Sequence, residues 1–322
     1  MLGKESFHSL KYFKKIQFEK ISNFMTKVLN DNRNIFGYLT EKYKEYFLQF
    51  YADNLLRIKS YQEKNNQSEE EKIEVEKEAD SLFYTALTDV KYFTRTITNS
   101  IFLFLDLENF KKRTKNYLFT KDNILNIVIS VVVRGKIFYS LLKAQISIEE
   151  FFAQKLKEKS LYYSNFPPEK FEVPAKFCLN EKTRDYIRET NNMNRELQIS
   201  NFKPYEKTMK KLENLVILDD PIRKINLIMN AAEIMQREIV DFYEGHGVAY
   251  AEKIGGDELL TVFIYIIANL KIYTIYSELI IINNFLSSTL VNSVAGYYLT
   301  TMMIACKYLT DFNSESFIMR KE

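Results

Sequence analysis

The chain has 322 residues, of which 46% are hydrophobic and 15% aromatic, enough for one large domain or two domains with a buried core. Charged residues make up 27% and the net charge is only +3, which argues against extensive disorder and against a mainly nucleic-acid-binding protein. Cysteines and histidines are too few and too far apart for a zinc module, and a reducing compartment fits this usage. They are Cys178, Cys306, His8 and His246.

The first ten residues, MLGKESFHSL, contain no apolar segment typical of a secretory signal, so we expect a cytoplasmic protein. The longest apolar runs, residues 124–133 and 259–268, have about half the ~20 residues that a membrane-spanning helix needs. We therefore interpret both runs as buried core helices.

A basic segment lies near the start of the chain, where residues 4–27 contain six lysines and two glutamates, with apolar residues on another side. Such a helix could contact an anionic membrane surface. An ordinary bundle helix with a solvated lysine face has the same pattern and is the more common case. The lysines are Lys4, Lys11, Lys14, Lys15, Lys20 and Lys27, and the apolar residues are Leu10, Phe13, Ile21 and Phe24.

The first half of the chain is predicted to be almost entirely helical, because residues 1–166 contain no proline and only three glycines. Two apolar stripes at helical spacing are expected to face a core. Between them, residues 64–80 are polar and mostly acidic, which favours a solvated loop. The β-branched run 128–133 is assigned to a helix because the apolar pattern continues beyond it. The stripes are Ile35, Leu39, Tyr43, Tyr46 and Phe50, then Phe83, Leu87, Val90, Phe93, Ile97, Ile101 and Phe104.

All five prolines lie between residues 167 and 221, so the chain changes character there. Because proline lacks an amide donor and restricts the residue before it, we expect a connector or an irregular docking segment over residues 161–204. Asp219-Asp220-Pro221 is then typical of a helix start, with an acidic cap and a proline in the first turn. Gly245-His246-Gly247 indicates where that helix ends or turns.

Short motifs punctuate the last third of the chain. Two glycines and two acids precede a nearly continuous apolar run, so we predict that a buried helix begins there, and a last helix is predicted to open at residues 292–296. No phosphate-binding glycine loop, dinucleotide fingerprint or nucleophile elbow is present, so no chemical reaction is indicated. The motifs are PIRKI at 221–225, GGDELLTVFIY at 255–265, YSEL at 276–279, NFL at 284–286 and GYYLT at 296–300.

In order and spacing, this set of motifs resembles the catalytic domain of the vacuolar-protein-sorting-nine family. The resemblance covers residues 205–313, about a third of the chain, and leaves residues 1–160 as a separate N-terminal helical region. It implies an all-α fold with a layered helical domain at the C-terminus. It also implies a guanine-nucleotide exchange factor that releases GDP from a Rab GTPase of the Rab-five class on early endosomal membranes. No cofactor, metal, nucleic acid or small-molecule substrate is expected.

The resemblance also implies roles for individual residues. Asp257 matches the acidic residue that enters the nucleotide site of the GTPase, and Tyr297 and Thr300 match the residues that contact its switch regions. Thr261, also assigned to the partner-binding surface, stands where the family usually has proline. We place that proline in the first turn of the helix and expect threonine to loosen the helix start or alter the surface. Ser293-Val294 stands where the family often has Gly-Glu.

Alternatives remain for the same residues. Taken alone, Asp257 fits an ordinary helix N-cap, and Tyr297 with Tyr298 fits a half-buried pair. The alternative function is a catalytically degenerate scaffold that binds a GTPase or a membrane without accelerating exchange. A third interpretation is a lipid-surface protein that depends on residues 4–27.

Overall fold

The computed structural model describes residues 19–55, 69–109, 120–190, 203–250 and 254–311. Within these ranges the secondary structure is helical and contains no strand, which confirms the all-α prediction. The chain forms two compact units, and each is described by itself. The first unit takes the described residues of Met1–Ile148 with Asp219–Arg223 and Asn284–Thr289, and the second takes those of Glu149–Leu218, Lys224–Asn283 and Leu290–Glu322.

The first unit is a helical bundle in which α3 packs against its neighbours α2, α4 and α5. Buried residues from α1, α3 and α4, such as Met25, Ile97 and Val128, meet in one apolar core. Asn34 begins α2 by accepting hydrogen bonds from the amides of Phe36 and Gly37, both at 3.0 Å. The helices are α1 (residues 19–30), α2 (Ile35–Phe47), α3 (Glu69–Phe104), α4 (Lys121–Val132) and α5 (Lys136–Ile148).

The prediction of which α2 residues face the core is wrong, because residues next to the predicted stripe are the buried ones. Phe36 is buried instead, and Gly37 lies so close to the preceding loop that a side chain there would clash with its backbone. Of the predicted stripe only Tyr43 is half-buried, and its ring stacks on Phe93 with 3.8 Å between centroids. The exposed members of the stripe are Ile35, Leu39, Tyr46 and Phe50.

Helix α3 corrects a second prediction, since it already begins at Glu69, inside the segment expected to be a loop. Glutamate, lysine and alanine all have high helix propensity, and this preference outweighs the lack of apolar residues to pack. Residues 64–68 of that segment lie outside the described residues. The apolar stripe predicted farther along α3 is largely correct, although Phe104 is 73% exposed. Its buried members are Phe83, Leu87, Val90, Ile97 and Ile101.

The β-branched run 128–133 lies in α4 and at its end, which confirms the helical assignment. The pattern does not continue as one helix, because the chain bends by 85° between α4 and α5, around Gly135 with its φ of 80°. In the part of the chain that the structure describes, no single helix is long and apolar enough to cross a membrane. Only α4 and α5 taken together meet that requirement, by length and composition, across the bend.

In the second unit α10 is the central helix, packed against α6, α8 and α13. From Leu259 onward nearly all of its side chains are buried, as the apolar run predicts. The helices are α6 (Glu150–Tyr163), α7 (Glu181–Thr190), α8 (Glu206–Glu213), most of α9 (Pro221–Gly245), α10 (Gly256–Leu270), most of α11 (Ile275–Phe285), the end of α12 (Ser288–Val291) and α13 (Val294–Asp311). Short 3₁₀ helices lie at Pro168–Phe171, Ala175–Phe177 and Asn214–Ile217.

The predicted start and end of α9 are both confirmed. The carboxylate of Asp220 accepts hydrogen bonds from the amides of Ile222 at 2.8 Å and Arg223 at 3.3 Å, and Pro221 is the first helical residue. The helix ends at Gly245, and Gly247 then takes a φ of 76°. Helix α9 also carries Lys224, whose side chain is fully buried and lies 2.7 Å from the carboxylate of Glu278 on α11.

The described part of the segment between α6 and α8, called the docked segment below, packs against other parts of the second unit. The hydroxyl of Tyr205 donates to the carbonyl of Phe177 at 2.5 Å, and that of Tyr243 donates to the carbonyl of Lys176 at 2.9 Å. Cys178 is buried beside them. Residues 191–202 lie outside the described residues. The domain boundaries 1–160, 161–204 and 205–313 stay a prediction.

Candidate functional site

The start of α10 is capped by Glu258. Its carboxylate oxygen Oε2 accepts a hydrogen bond from the amide of Gly255 at 2.7 Å, and Gly255 occupies the N-cap position in an extended conformation. The other oxygen, Oε1, lies 2.6 Å from the ammonium of Lys176. The hydrogen bond from Lys176, reinforced by the Gly255 amide, lowers the pKa of Glu258, although burial opposes it. Glu258 is therefore an engaged, structural carboxylate.

Asp257, by contrast, is the second residue of α10 and is exposed. Among the residues that the structure describes, none forms a hydrogen bond or an ion pair with its side chain. The interpretation of Asp257 as an ordinary N-cap is wrong, because the N-cap is Gly255 and Asp257 is the second residue of the helix. A carboxylate at this end of a helix is favoured by the helix dipole, so Asp257 can offer a charged group to a cationic partner.

Tyr297 lies beside the same helix start. Its hydroxyl is 3.0 Å from the point where a Cβ on Gly256 would stand, so α13 places this side chain next to the first residue of α10. The side chain is 47% exposed. Tyr298 instead is half-buried, with its ring edge-on to Phe263 of α10 at 6.4 Å between centroids. The half-buried interpretation thus holds for Tyr298 and not for Tyr297.

Thr300 is exposed one turn after Tyr297 on α13. The structure therefore brings Asp257 and Tyr297 to one helix junction and places Thr300 on the same exposed face as Tyr297. Sequence reasoning missed that this face continues as an apolar strip, although residues spaced by three, four and seven along a helix share a face. The further members are Val294, Ile304 and Tyr308, which are 58%, 48% and 44% exposed.

Thr261 is half-buried on α10, one turn after Asp257, and its hydroxyl donates to the carbonyl of Glu258 at 2.9 Å. The expectation that position 261 falls in the first turn is wrong, because α10 already begins at Gly256. In an α-helix the amide of residue 261 bonds the carbonyl of residue 257. Threonine at position 261 keeps this amide donor, so it does not loosen the start of the helix. Proline there would lack the donor.

The start of α13 depends on Ser293, as the predicted opening at residues 292–296 suggests. Its hydroxyl accepts from the amide of Ala295 at 3.1 Å and donates to the carbonyl of Leu290 at 2.7 Å. Gly296 is buried so close to Val291 that a Cβ would stand 2.1 Å from the Val291 carbonyl oxygen. The junction before Tyr297 is therefore tightly packed.

The second unit offers little for metal or nucleophilic chemistry. In the described ranges no group of three His, Cys, Asp or Glu side chains could hold a metal ion. Both cysteines are buried, and burial raises the pKa of the Cys178 thiol to about 12. His246 lies at the end of α9 with Nδ1 2.6 Å from the carbonyl of Phe242.

These features define a helical module in which a carboxylate that no described residue engages lies at a helix start beside an exposed aromatic and apolar face. Residues 205–314 match the family model of the Vacuolar sorting protein 9 (VPS9) domain. The chain therefore contains a VPS9 domain, a domain of exchange factors for GTPases of the Rab-five class, and the resemblance of its motifs is confirmed. The domain implies guanine-nucleotide exchange on a small GTPase. No curated protein matches the chain.

Proposed function

We propose that this chain accelerates GDP release from a Rab GTPase of the Rab-five class at early endosomal membranes. One observation carries the proposal: the side chain of Asp257 is exposed and unengaged by the described residues, at a helix start that Glu258 caps in its place. The hydroxyl of Tyr297 lies at the same junction. A carboxylate presented in this way can enter the nucleotide site of a bound GTPase.

The mechanism follows from how GTPases hold their nucleotide. Such a protein binds the phosphates with a glycine-rich loop, a lysine and a Mg²⁺ ion. In our proposal Asp257 pairs with that lysine in place of phosphate, through a charge-assisted hydrogen bond that stabilises the empty GTPase. Exchange is faster because the factor binds the empty state better than the loaded state. No covalent step is involved.

The exposed face of α13 supplies the docking surface in this proposal. Tyr297 and Thr300 contact the switch regions of the GTPase, and Ile304 with Tyr308 extend the contact along the helix. Aromatic side chains that are half exposed in the free protein are typical anchors of protein interfaces. Thr261 lies one turn from Asp257 and lines the same end of α10.

A peripheral contact with an anionic membrane is proposed for the basic segment 4–27. In its described part, α1 exposes Lys20, Lys27 and Phe24, the last of them by 59%. Lysines beside an exposed aromatic ring suit the surface of an anionic bilayer. Residues 4–18 lie outside the described residues. Binding of the chain to anionic vesicles that weakens with added salt supports this contact, and absence of binding at low salt contradicts it.

The exchange proposal is tested by release of a fluorescent GDP analogue from a GTPase of the Rab-five class. Asp257→Ala in the full chain should slow release by about a hundredfold, because the transition to the empty GTPase loses its carboxylate. Asp241→Ala is the matched control, since Asp241 is an exposed acid of α9 whose carboxylate lies 3.3 Å from the ammonium of Lys207 at the surface. Equal rates for Asp257→Ala and wild type would contradict the role of Asp257. Binding without acceleration, across a panel of Rab GTPases, would favour the scaffold.

A further inference from the structure

The side chain of Lys176 reaches the site from outside the matched domain, which begins at residue 205. Its ammonium lies 2.6 Å from Oε1 of Glu258, and Oε2 of the same carboxylate accepts the Gly255 amide at 2.7 Å. One carboxylate thus joins the docked segment to the N-cap of α10. The two side chains are only about a quarter exposed, 27% for Lys176 and 25% for Glu258, so water screens the pair incompletely.

The backbone of Lys176 is itself held in place. Its carbonyl accepts the hydroxyl of Tyr243 at 2.9 Å, and the next carbonyl, of Phe177, accepts the hydroxyl of Tyr205 at 2.5 Å. Phe177 and Tyr205 are fully buried. The carbonyl before Lys176, of Ala175, accepts the hydroxyl of Thr183 at 2.7 Å. Three consecutive carbonyls are therefore fixed by side chains of the second unit, and the ammonium is presented from a rigid base.

We propose that Lys176 is a positioning residue for Asp257, acting through Glu258 and the N-cap of α10. The inference rests on the proposed exchange function. Lys176 holds the Glu258 carboxylate against the Gly255 amide and so keeps the first turn of α10 closed. It also neutralises Glu258, so that the adjacent carboxylate of Asp257 is the one left to meet the lysine of the GTPase. The docked segment, which precedes the matched domain in sequence, is then part of the exchange site.

The first test compares exchange rates of full-length variants. Lys176→Met should slow GDP release by about tenfold, because a small displacement of a functional side chain strongly lowers the rate. Lys176→Arg should release GDP at a rate near that of wild type. Lys210→Met is the matched control, because it removes an exposed ion pair with Glu206 elsewhere in the same unit. In an Asp257→Ala background, Lys176→Met should have no further effect. An equal loss in both backgrounds would overturn the proposal, because it is what general destabilisation gives.

The second test needs no GTPase and so separates this inference from the exchange function. Hydrogen exchange of the Gly255 and Leu259 amides in the free chain should accelerate several-fold in Lys176→Met and remain slow in Lys176→Arg. Unchanged protection in Lys176→Met would overturn the positioning role, even if exchange activity fell. Should the wild-type chain accelerate no Rab GTPase, the proposed function fails, and the lack of any working role for Asp257 overturns the positioning role with it.

Discussion

The hydroxyl of Tyr297 occupies the space that a side chain at Gly256 would need, 3.0 Å from the position of its Cβ. The first residue of α10 and the exposed face of α13 are therefore fitted to each other at the point where Asp257 emerges. A residue larger than glycine at position 256 must displace the end of the tyrosine side chain, which is its most mobile part.

Gly256→Ala should therefore slow GDP release about fivefold while changing the free energy of unfolding by less than about 0.5 kcal/mol. The measurement is nucleotide release combined with urea unfolding of the same preparations. Gly245→Ala is the matched control, because a Cβ at Gly245 meets nothing within 4 Å. If the two alanine variants release nucleotide at equal rates, the fit between Gly256 and Tyr297 has no part in exchange.

A substitution at Ile304 tests whether the docking surface extends along α13. Ile304→Ser should raise the concentration of factor needed for half-maximal exchange about tenfold and leave the maximal rate nearly unchanged, because the residue contributes binding and not the carboxylate step. Asp257→Ala should chiefly lower the maximal rate. Exchange rates measured over a series of factor concentrations distinguish the effect on binding from the effect on the maximal rate.

Leu161→Ser is the control for that variant, since Leu161 is 56% exposed on α6 and is not a member of the apolar strip on α13. It replaces an exposed aliphatic side chain in the same unit and should leave both parameters unchanged. Equal behaviour of the two serine variants would limit the docking surface to Tyr297 and Thr300.

Local chemistry made the starts of α9 and α10 predictable. An acid before a proline begins α9, and two glycines with an acid begin α10, because caps and first turns depend on adjacent residues. The orientation of α2 was not predictable in this way, since apolar residues occupy both of its faces. The backbone of the preceding loop lies too close to Gly37 for a side chain there, and such a close approach leaves no apolar pattern in the sequence.

In the candidate site, too, some residues could be predicted from the sequence and others could not. Asp257 and Tyr297 were identified by a family resemblance in ordered motifs, and the structure adds that both lie at the start of α10. Nothing in the sequence indicated a role for Lys176, because a lysine soon after a proline is common. Its partner Glu258 is also remote in sequence. The spacing of Ile304 and Tyr308 after Thr300 was a usable signal, since steps of four mark one helix face.

The capping role of Glu258 has a pH signature. Its pKa is lowered in the folded chain by Lys176 and by the Gly255 amide, from an ordinary value of 4.5. A lowered pKa stabilises the fold above the unfolded value, and this contribution is lost as the pH falls through the folded value. The free-energy difference between wild type and Glu258→Gln should therefore be constant from pH 7 to about pH 5 and shrink below 4.5.

Urea unfolding at closely spaced pH values measures that difference. Glu213→Gln serves as the control, since Glu213 is an exposed acid at the end of α8. A difference for Glu258→Gln that grew on acidification would contradict the sign of the argument, and with it the assignment of Glu258 as the engaged carboxylate.

The buried pair of Lys224 and Glu278 ties α9 to α11. The ammonium lies 2.7 Å from the carboxylate and also donates to the carbonyl of Leu215 at 2.5 Å. Burial raises the pKa of Glu278, although Lys224 opposes the shift. Lys224→Met leaves that carboxylate without its cation and should lower the free energy of unfolding by about 3–5 kcal/mol at pH 7.

The loss should be smaller at pH 5, because protonation of Glu278 removes the unpaired buried charge in the variant. The double variant Lys224→Met/Glu278→Leu should recover most of the stability, since neither partner then carries a charge into the core. Lys207→Met, which breaks the exposed pair with Asp241, should cost less than about 1 kcal/mol. A Lys224→Met loss as small as that of Lys207→Met would show that water reaches the pair, and that it does not tie α9 to α11.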